Sequence, residues 1–478
     1  MAIGNNRKSL FKRIKRKKIK TWFDLGIFLD KLQQRRISFA QKPKDFQKFS
    51  SFSKYLSNGS FAFITYDLGV DGVSTETSHY IRAFRRIFPR SFKASLIVGD
   101  FNDEAEVLER ERGKIPVYKI QEAAGFEKWG DPYQFLYFHK LKRGGRVYNL
   151  LPALIWEQSL TIIEKMLNII EKENIRCLVL SNVASNPGNL SLTLATVIVS
   201  EILGMPVVNI NHDFYWEGGK NPSDRQKGEQ PGMRDHFFTN VDLGEFFSII
   251  KLLFPWRSQF WMQVNISKLQ SKILIEEEGL NPNNVTEIGT AIDTKRFNSL
   301  TFLQKEKVYY KLNLLFGSLY KKLVVYKPGD YQINHQAKEE KPFVIGWRKK
   351  VKFSPTSTLL FLQPTRIIER KQIEKNFLVL KNLFENKEFK KHLHQKNKKV
   401  LLLITGPIAS GHFEYFQKIK REIVNCYQQL TPDLKKDQTA PQRSFGINKP
   451  LLPSIPALLA DEKDICCLSC FDNLNYGQ

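Results

Sequence analysis

Short apolar runs alternate with amphipathic stretches along the chain, and this alternation restricts its fold more than any other feature. In the first half, runs typical of buried strands lie at 61–70, 93–101, 176–183 and 205–214. Helical spacing of apolar residues marks 71–88, 151–175 and 189–204. Strands that alternate with helices predict a parallel sheet covered on both faces, and therefore an α/β fold class.

The same rhythm returns later, with strand patterns at 358–367 and 398–407 and a helical pattern at 411–430. The stretch between the two parts has weaker periodicity, and the last 48 residues combine Pro, clustered Cys and scattered charge. We predict five regions: a basic N-terminal tail or amphipathic helix at 1–58, a Rossmann-like domain at 59–298, a connecting segment at 299–354, a partial second domain at 355–430 and an irregular tail at 431–478.

Positive charge is concentrated at the N-terminus. The chain has a formal net charge of +26, and residues 1–60 hold 16 Lys and Arg against three acids, so 16 − 3 = +13. Apolar residues recur among these cations at roughly helical spacing: Leu10, Phe11, Ile14, Trp22 and Leu25. Three interpretations stay open: a solvated basic tail, a helix in which residues 7–25 contact an anionic membrane surface, and a nucleic-acid tail. The third is the least favoured, because no nucleic-acid-binding module is recognisable.

Several classes of protein are excluded by missing patterns. The chain has no GxxxxGK[ST] loop, no GxGxxG after a strand, no GxSxG and no HExxH. No apolar run reaches the roughly 18–20 residues of a membrane-spanning helix, and the first residues lack the apolar core of a signal peptide. Five Cys in 478 residues favour a reducing compartment, so we expect a cytoplasmic protein.

Candidate binding residues follow two of the predicted strands. The segment TYDLGVDGVSTET carries Gly69 and Gly72 between a strand and a helix, where glycine allows a ligand to approach the backbone closely. The segment VVNINHDFYWEGG places His212 and Asp213 just beyond a strand. Ligands of open α/β sheets bind at the carboxyl ends of strands, which makes all four residues candidates.

Two further segments extend the series. VTEIGTAIDTKRFN, at 285–298, joins a short strand to a small-residue turn. LQPTRIIERKQIE, at 362–374, puts Arg366 and Lys371 across a strand-to-helix turn. Two cations beside a helix N-terminus suit a diphosphate.

In this order, the segments at about 60–430 resemble the retaining glycosyltransferases of the GT-B fold, in the large group 1 family that includes sucrose-phosphate synthase. The resemblance implies two Rossmann-like domains facing across a cleft. It implies that Arg366 and Lys371 grip the diphosphate of a nucleotide-sugar donor, and that His212 lies near the reacting centre with Asp213. Gly406, in LLLITGP, stands at the family's next glycine position. The implied partners are a nucleotide sugar and a hydroxyl acceptor, with no metal cofactor.

The chain departs from this family in its last part. The family's E-x7-E donor motif has no counterpart, and Gln372 stands where the family often has Gly after the lysine. The second domain is therefore expected to be incomplete. We expect a hexosyltransferase-type glycosyltransferase with little activity in this chain; the alternative is a GT-B-like binding protein that no longer catalyses.

Overall fold

The chain divides into two units, Met1–Asp293 and Thr294–Gln478. A computed structural model describes a defined set of residues: 11–34, 49–57, 59–69, 71–88, 92–101, 105–111, 113–125, 136, 141–217, 243–292, 294, 298–320, 324–326, 343–345, 353–365, 367–404, 415–416, 418–419, 421–422, 456–459 and 466–470.

The first unit is built on a seven-stranded parallel sheet with the strand order β3-β2-β1-β4-β5-β6-β7. Its strands are β1 Ser60–Leu68, β2 Ala94–Phe101, β3 Val117–Lys119, β4 Ile175–Ser181, β5 Val207–Asn211, β6 Trp261–Asn265 and β7 Val285–Glu287. The chain builds outward from β1 to β3 and then returns to β4 on the other side of β1. The strand order therefore reverses between β1 and β4, and the carboxyl ends of these strands form the usual ligand-binding edge of such a sheet.

Helices cover both faces of this sheet, as its apolar strands require. They are α1 Trp22–Gln33, α2 Phe49–Leu56, α3 Gly72–Ile87, α4 Glu106–Glu111, α5 Arg146–Lys172, α6 Leu190–Leu203, α7 Gly244–Leu253 and α8 Lys268–Lys272. Helix α6 is buried along nearly its whole length, ends at Gly204 in the left-handed conformation, and packs with α5 against one face. The other face packs on α3.

The described N-terminal residues pack on the first unit and do not form the solvated tail that was one of the predicted alternatives. Trp22 is 4% exposed, and the indole Nε1 donates a hydrogen bond to the carbonyl oxygen of Tyr148 at 3.1 Å. Ile14 and Leu25 are also buried in the core of the first unit. Apolar residues that pack on the core cannot insert into a membrane at the same time, so the apolar side of the predicted amphipathic helix serves the fold.

The second unit contains a six-stranded sheet with the order β10-β11-β13-β12-β9-β8. Its strands are β8 Val324–Tyr326, β9 Phe343–Ile345, β10 Thr358–Gln363, β11 Lys399–Ile404, β12 Pro456–Leu459 and β13 Cys466–Cys470, and its helices include α9 Phe302–Tyr320, α10 Lys375–Glu385 and α11 Lys387–Gln395. Strands β12 and β13 pair antiparallel, and the other described pairs are parallel.

The predicted connecting segment and the predicted irregular tail each contribute two strands to this sheet. They are β8 and β9 from 299–354, and β12 and β13 from 431–478. Each is only three to five residues long, so none carries enough alternation to be recognised without its partners. The predicted α/β class is confirmed in both units. Among the described residues, no helix is long and apolar enough to cross a membrane.

Candidate functional site

Three loops meet the carboxyl edge of the first sheet at β1, β4 and β5. After β1, Asp71 caps helix α3 by accepting a hydrogen bond from the Ser74 backbone N–H at 2.9 Å. After β4, Asn182 adopts a left-handed conformation with φ 61°. After β5 come His212 and Asp213, as the sequence predicted.

His212 is paired with Glu76 of helix α3. The imidazole Nδ1 lies 3.3 Å from the carboxylate Oε2, with side chains that are 16% and 5% exposed. Sequence analysis did not select Glu76 as a site residue. The strand-to-helix turn after β1 brings the carboxylate beside the loop that follows β5. A carboxylate on Nδ1 orients the ring and leaves Nε2 as the nitrogen that can exchange a proton or a hydrogen bond with a ligand.

Burial sets the electrostatics of this pair. Loss of solvent raises the pKa of the Glu76 carboxyl above its ordinary value, and the nearby His212 imidazole opposes that rise. One helical turn further on, burial also raises the pKa of the Tyr80 hydroxyl, and the Glu76 carboxylate adds to the effect. Glu76 is thus a buried acid whose pKa lies above its ordinary value even with the imidazole beside it.

The second ring nitrogen of His212 is buried. Within the described part of the chain, Nε2 has no hydrogen-bond partner. A buried polar atom without a partner typically costs 1–3 kcal/mol, so such atoms in folded proteins call for an explanation. A ligand hydroxyl or phosphate oxygen is one group that could pair with this nitrogen.

Asp213 is held by two asparagine side chains. Asn182 donates through Nδ2 to Oδ1 of Asp213 at 2.7 Å, and Asn186 donates to Oδ2 at 2.9 Å. The side-chain oxygen of Asn182 also accepts from the backbone N–H groups of His212 and Asp213, at 3.2 and 3.3 Å. Both carboxylate oxygens of Asp213 therefore make bonds that fix the loop carrying His212.

The far side of this loop is anchored by helix α8. Gln270 donates through Nε2 to the carbonyl oxygen of His212 at 3.2 Å and to Oε2 of Glu217 at 3.0 Å. Glu217 in turn accepts from the backbone N–H of Phe214 at 2.7 Å. His212 is thus restrained through its backbone on both sides, as a preorganised binding group requires.

Four buried amides support the loop from inside the sheet. Asn209 and Asn211 of β5 face Gln263 and Asn265 of β6 in register, and all four are at most 1% exposed. Asn211 donates to Asn265 at 2.8 Å, and Asn265 donates to Ser271 Oγ at 3.1 Å. This ladder couples β5 and β6 next to His212 through polar bonds that permit little slippage.

The predicted loop glycines, Gly69 and Gly72, have ordinary backbone conformations. Neither Gly69 nor Gly72 adopts the left-handed conformation. A Cβ added at Gly72 would meet no described atom within 4 Å, and one at Gly69 would lie 3.4 Å from a carboxylate oxygen of Asp71. Protein packing does not require glycine at position 72, and the space beside it is open.

The predicted diphosphate-binding residues lie in the second unit. Lys371 is exposed and ends a short 3-10 turn, Glu369–Lys371, after β10. Gln372, at the position where the resembled family often has Gly, adopts a left-handed conformation with φ 49°. Arg366 and Gly406 lie outside the described residues.

Sequence analysis missed the polar residues that fix His212. Asn182 and Asn186 stand in SNVASN directly after β4, so the rule that drew attention to His212 could also have selected them. Glu217 and Gln270 follow no comparable pattern, because only the folded chain brings them together.

Comparisons with known proteins return remote structural likeness only. No family model matches the chain, and no curated protein matches it. A glycosyltransferase from Rickettsia africae aligns at 14% identity with a TM-score of 0.40, over 78% of this chain and 66% of that one. A UDP-GlcNAc 2-epimerase from Neisseria meningitidis bound to UDP-GlcNAc aligns at 11% identity with a TM-score of 0.33, over 78% of this chain and 70% of that one.

A Phytolacca americana protein complexed with UDP-2-fluoro-glucose and pterostilbene aligns at 10% identity and a TM-score of 0.32, over 73% of this chain and 66% of that one. The chain spans just under two thirds of the length of the Rickettsia and Phytolacca structures.

Proposed function

We propose that the protein is a glycosyltransferase that moves a sugar from a nucleotide-sugar donor to a hydroxyl acceptor, with retention of configuration and without a metal. The pairing of His212 with Glu76 carries the proposal. It puts an oriented imidazole, whose Nε2 has no hydrogen-bond partner among the described residues, at the carboxyl edge of a Rossmann-like sheet. The resemblance of residues 60–430 to group 1 sequences supplies the substrate class. We also propose a cytoplasmic location, in keeping with the low cysteine content.

In this proposal each residue has a separate task. His212 contacts a hydroxyl of the transferred sugar through Nε2, Glu76 holds the imidazole in place, and Asp213 fixes the loop. Arg366 and Lys371 neutralise the nucleoside diphosphate as the bond to the sugar breaks. Stabilising the negative charge of the leaving group is a main electrostatic task of sugar transfer, and cationic side chains can do this without a divalent ion.

A binding protein without catalysis is the second candidate. The observation that favours it is the missing E-x7-E motif, which would hold the sugar and the ribose of the donor in the resembled family. A misplacement of about 1 Å costs on the order of a hundredfold in rate, so a chain that keeps only the diphosphate grip would bind nucleotide and turn over slowly.

Calorimetry and turnover assays with UDP-, GDP- and ADP-sugars distinguish these candidates. His212→Ala should lower kcat by about a hundredfold or more while nucleotide affinity stays unchanged. The matched control is His392→Ala, at an exposed histidine of the second unit, which should change neither. Nucleotide binding without turnover in the parent chain would favour the binding protein, and no nucleotide binding at all would refute both candidates.

Two further measurements test the finer parts of the proposal. Lys371→Ala should weaken nucleoside-diphosphate binding by about 1.5–3 kcal/mol, whereas Lys387→Ala, at another exposed lysine, should not. The anomeric configuration of the product, read by NMR, tests retention directly. Equal affinity in Lys371→Ala and the parent would remove the diphosphate-binding role of Lys371.

A further inference from the structure

A dense group of cations lies on the solvent side of the first unit. Residues 12–20, here called the basic segment, hold seven Lys and Arg and no acid. All seven are exposed: Lys12, Arg13, Lys15, Arg16, Lys17, Lys18 and Lys20. Lys15 lies 3.6 Å from a carboxylate oxygen of Glu164. Among the described residues, no acid lies at ion-pair distance from five of the other cations: Lys12, Arg13, Arg16, Lys17 and Lys18.

The basic segment is fixed to the fold. Ile14 and Ile19 lie within it, are 2% and 8% exposed, and belong to the core of the first unit. Trp22, just beyond it, is buried as well. These anchors make the apolar positions of the segment face inward, so its cations project outward at short spacing on a folded surface.

Helix α1 adds exposed apolar side chains beside this charge. Phe23 is 70% exposed and Ile27 is 38% exposed, whereas Leu25, Phe28 and Leu29 on the other side are buried. Phe23 and Ile27 are four residues apart, so they share one helix face. An exposed aromatic ring next to a cluster of cations is the combination that amphipathic surface helices present to a bilayer interface.

We propose that the basic segment and the Phe23–Ile27 face dock the protein on an anionic lipid bilayer. The cations bind the negative headgroups, and Phe23 and Ile27 enter the boundary between headgroups and acyl chains. This differs from the membrane contact expected from sequence, because Phe11 packs against the core and Trp22 lies within it. The proposal goes beyond the proposed sugar transfer and does not depend on it.

Sedimentation of the full chain with lipid vesicles tests this surface. The protein should sediment with vesicles that contain about a third phosphatidylglycerol and stay in solution with pure phosphatidylcholine. A Lys or Arg near an anionic surface strengthens binding by about fivefold. The variant K12Q/R13Q/R16Q/K17Q should therefore lose binding by on the order of a hundredfold or more. The control K387Q/K390Q/K391Q/K396Q removes equal charge from exposed lysines of the second unit and should bind like the parent.

The double variant F23S/I27S separates a bilayer from other polyanions. It keeps every cation, so it should bind vesicles about tenfold or more weakly while its binding to a 20-nucleotide single-stranded DNA stays at the parent level. The proposal is overturned if the two charge variants lose vesicle binding equally. It is also overturned if F23S/I27S binds vesicles as the parent does, which would leave a surface that responds to charge alone.

Discussion

Oε2 of Glu76 lies 3.3 Å from Nδ1 of His212, and the two side chains are largely shielded from solvent. Helix α3 and the loop after β5 are joined here by a pair of titratable groups at the edge where ligands of such sheets bind. Burial destabilises the charged form of Glu76, and the interaction with His212 offsets this in part. The remaining cost should be measurable as a pH dependence of the free energy of unfolding.

Glu76→Gln should remove a fall in stability as the pH rises. Burial raises the pKa of the Glu76 carboxyl above its ordinary value of 4.5, so the folded state holds this proton more tightly than the unfolded state. The free energy of unfolding therefore decreases as the pH rises from about 4.5 through the raised pKa. Gln cannot ionise, so the stability of the variant relative to the parent should increase over that range.

Urea unfolding from pH 4 to 7, followed by tryptophan fluorescence, measures this effect. Six of the seven Trp residues lie in the first unit, so the signal reports mainly on that unit. Glu157→Gln, at an exposed position of helix α5, is the matched control and should follow the parent at every pH. Parallel pH curves for the two variants would contradict the prediction.

Asn182→Ala should destabilise the first unit by about 2 kcal/mol more than Asn174→Ala. Both residues adopt positive φ, at 61° and 48°, so both variants place alanine in a left-handed conformation. Asn182 also bonds Asp213 and the backbone of His212, and its loss leaves polar groups in the loop without partners. Equal losses in urea unfolding would mean that the bonds of Asn182 contribute no more to stability than those of Asn174.

Much of the first unit could be predicted from the sequence, because local pattern determines it. The apolar runs at 61–70, 93–101 and 176–183 correspond to β1, β2 and β4 within a few residues. His212 could be predicted as a candidate, since its place after a strand follows from topology.

The remaining features depend on contacts between distant residues. Glu76 has the sequence environment of an ordinary acid near the start of a helix, and only the folded chain brings it to His212. Trp22 and its basic neighbours have the composition of a solvated or membrane-bound tail, and only the surfaces of α5 and α7 show that the indole is buried. Strands β12 and β13 are too short to be recognised without the strands beside them.

Gln372→Gly should stabilise the turn that carries Lys371. Gln372 has φ 49°, a conformation that costs a residue with a Cβ about 1–2 kcal/mol, and glycine recovers about half of this after its greater freedom when unfolded is subtracted. The Ile373 N–H, which donates to the Tyr415 hydroxyl at 2.8 Å, should then exchange with solvent about twofold to fivefold more slowly. Gln372→Ala keeps the strained conformation and should leave the exchange rate of the Ile373 N–H unchanged. Faster exchange in Gln372→Gly than in the parent would refute the prediction.

Trp22 and Phe23 are adjacent in helix α1 and have opposite surroundings. The Trp22 ring contacts Phe246 edge-on with centroids 5.2 Å apart, and its Nε1 bonds the Tyr148 carbonyl. The Phe23 ring is 70% exposed. Substitutions at these two positions therefore test whether helix α1 belongs to the core of the first unit.

Trp22→Ala should lower the free energy of unfolding of the first unit by about 3–5 kcal/mol, because it removes a buried ring and leaves both a cavity and an unpaired carbonyl oxygen. Phe23→Ala should change it by less than about 0.5 kcal/mol, since an exposed side chain loses little contact. Urea unfolding followed by the remaining Trp residues compares the two. If Trp22→Ala were as stable as Phe23→Ala, residues 11–33 would be a separable segment and not part of the core of the first unit.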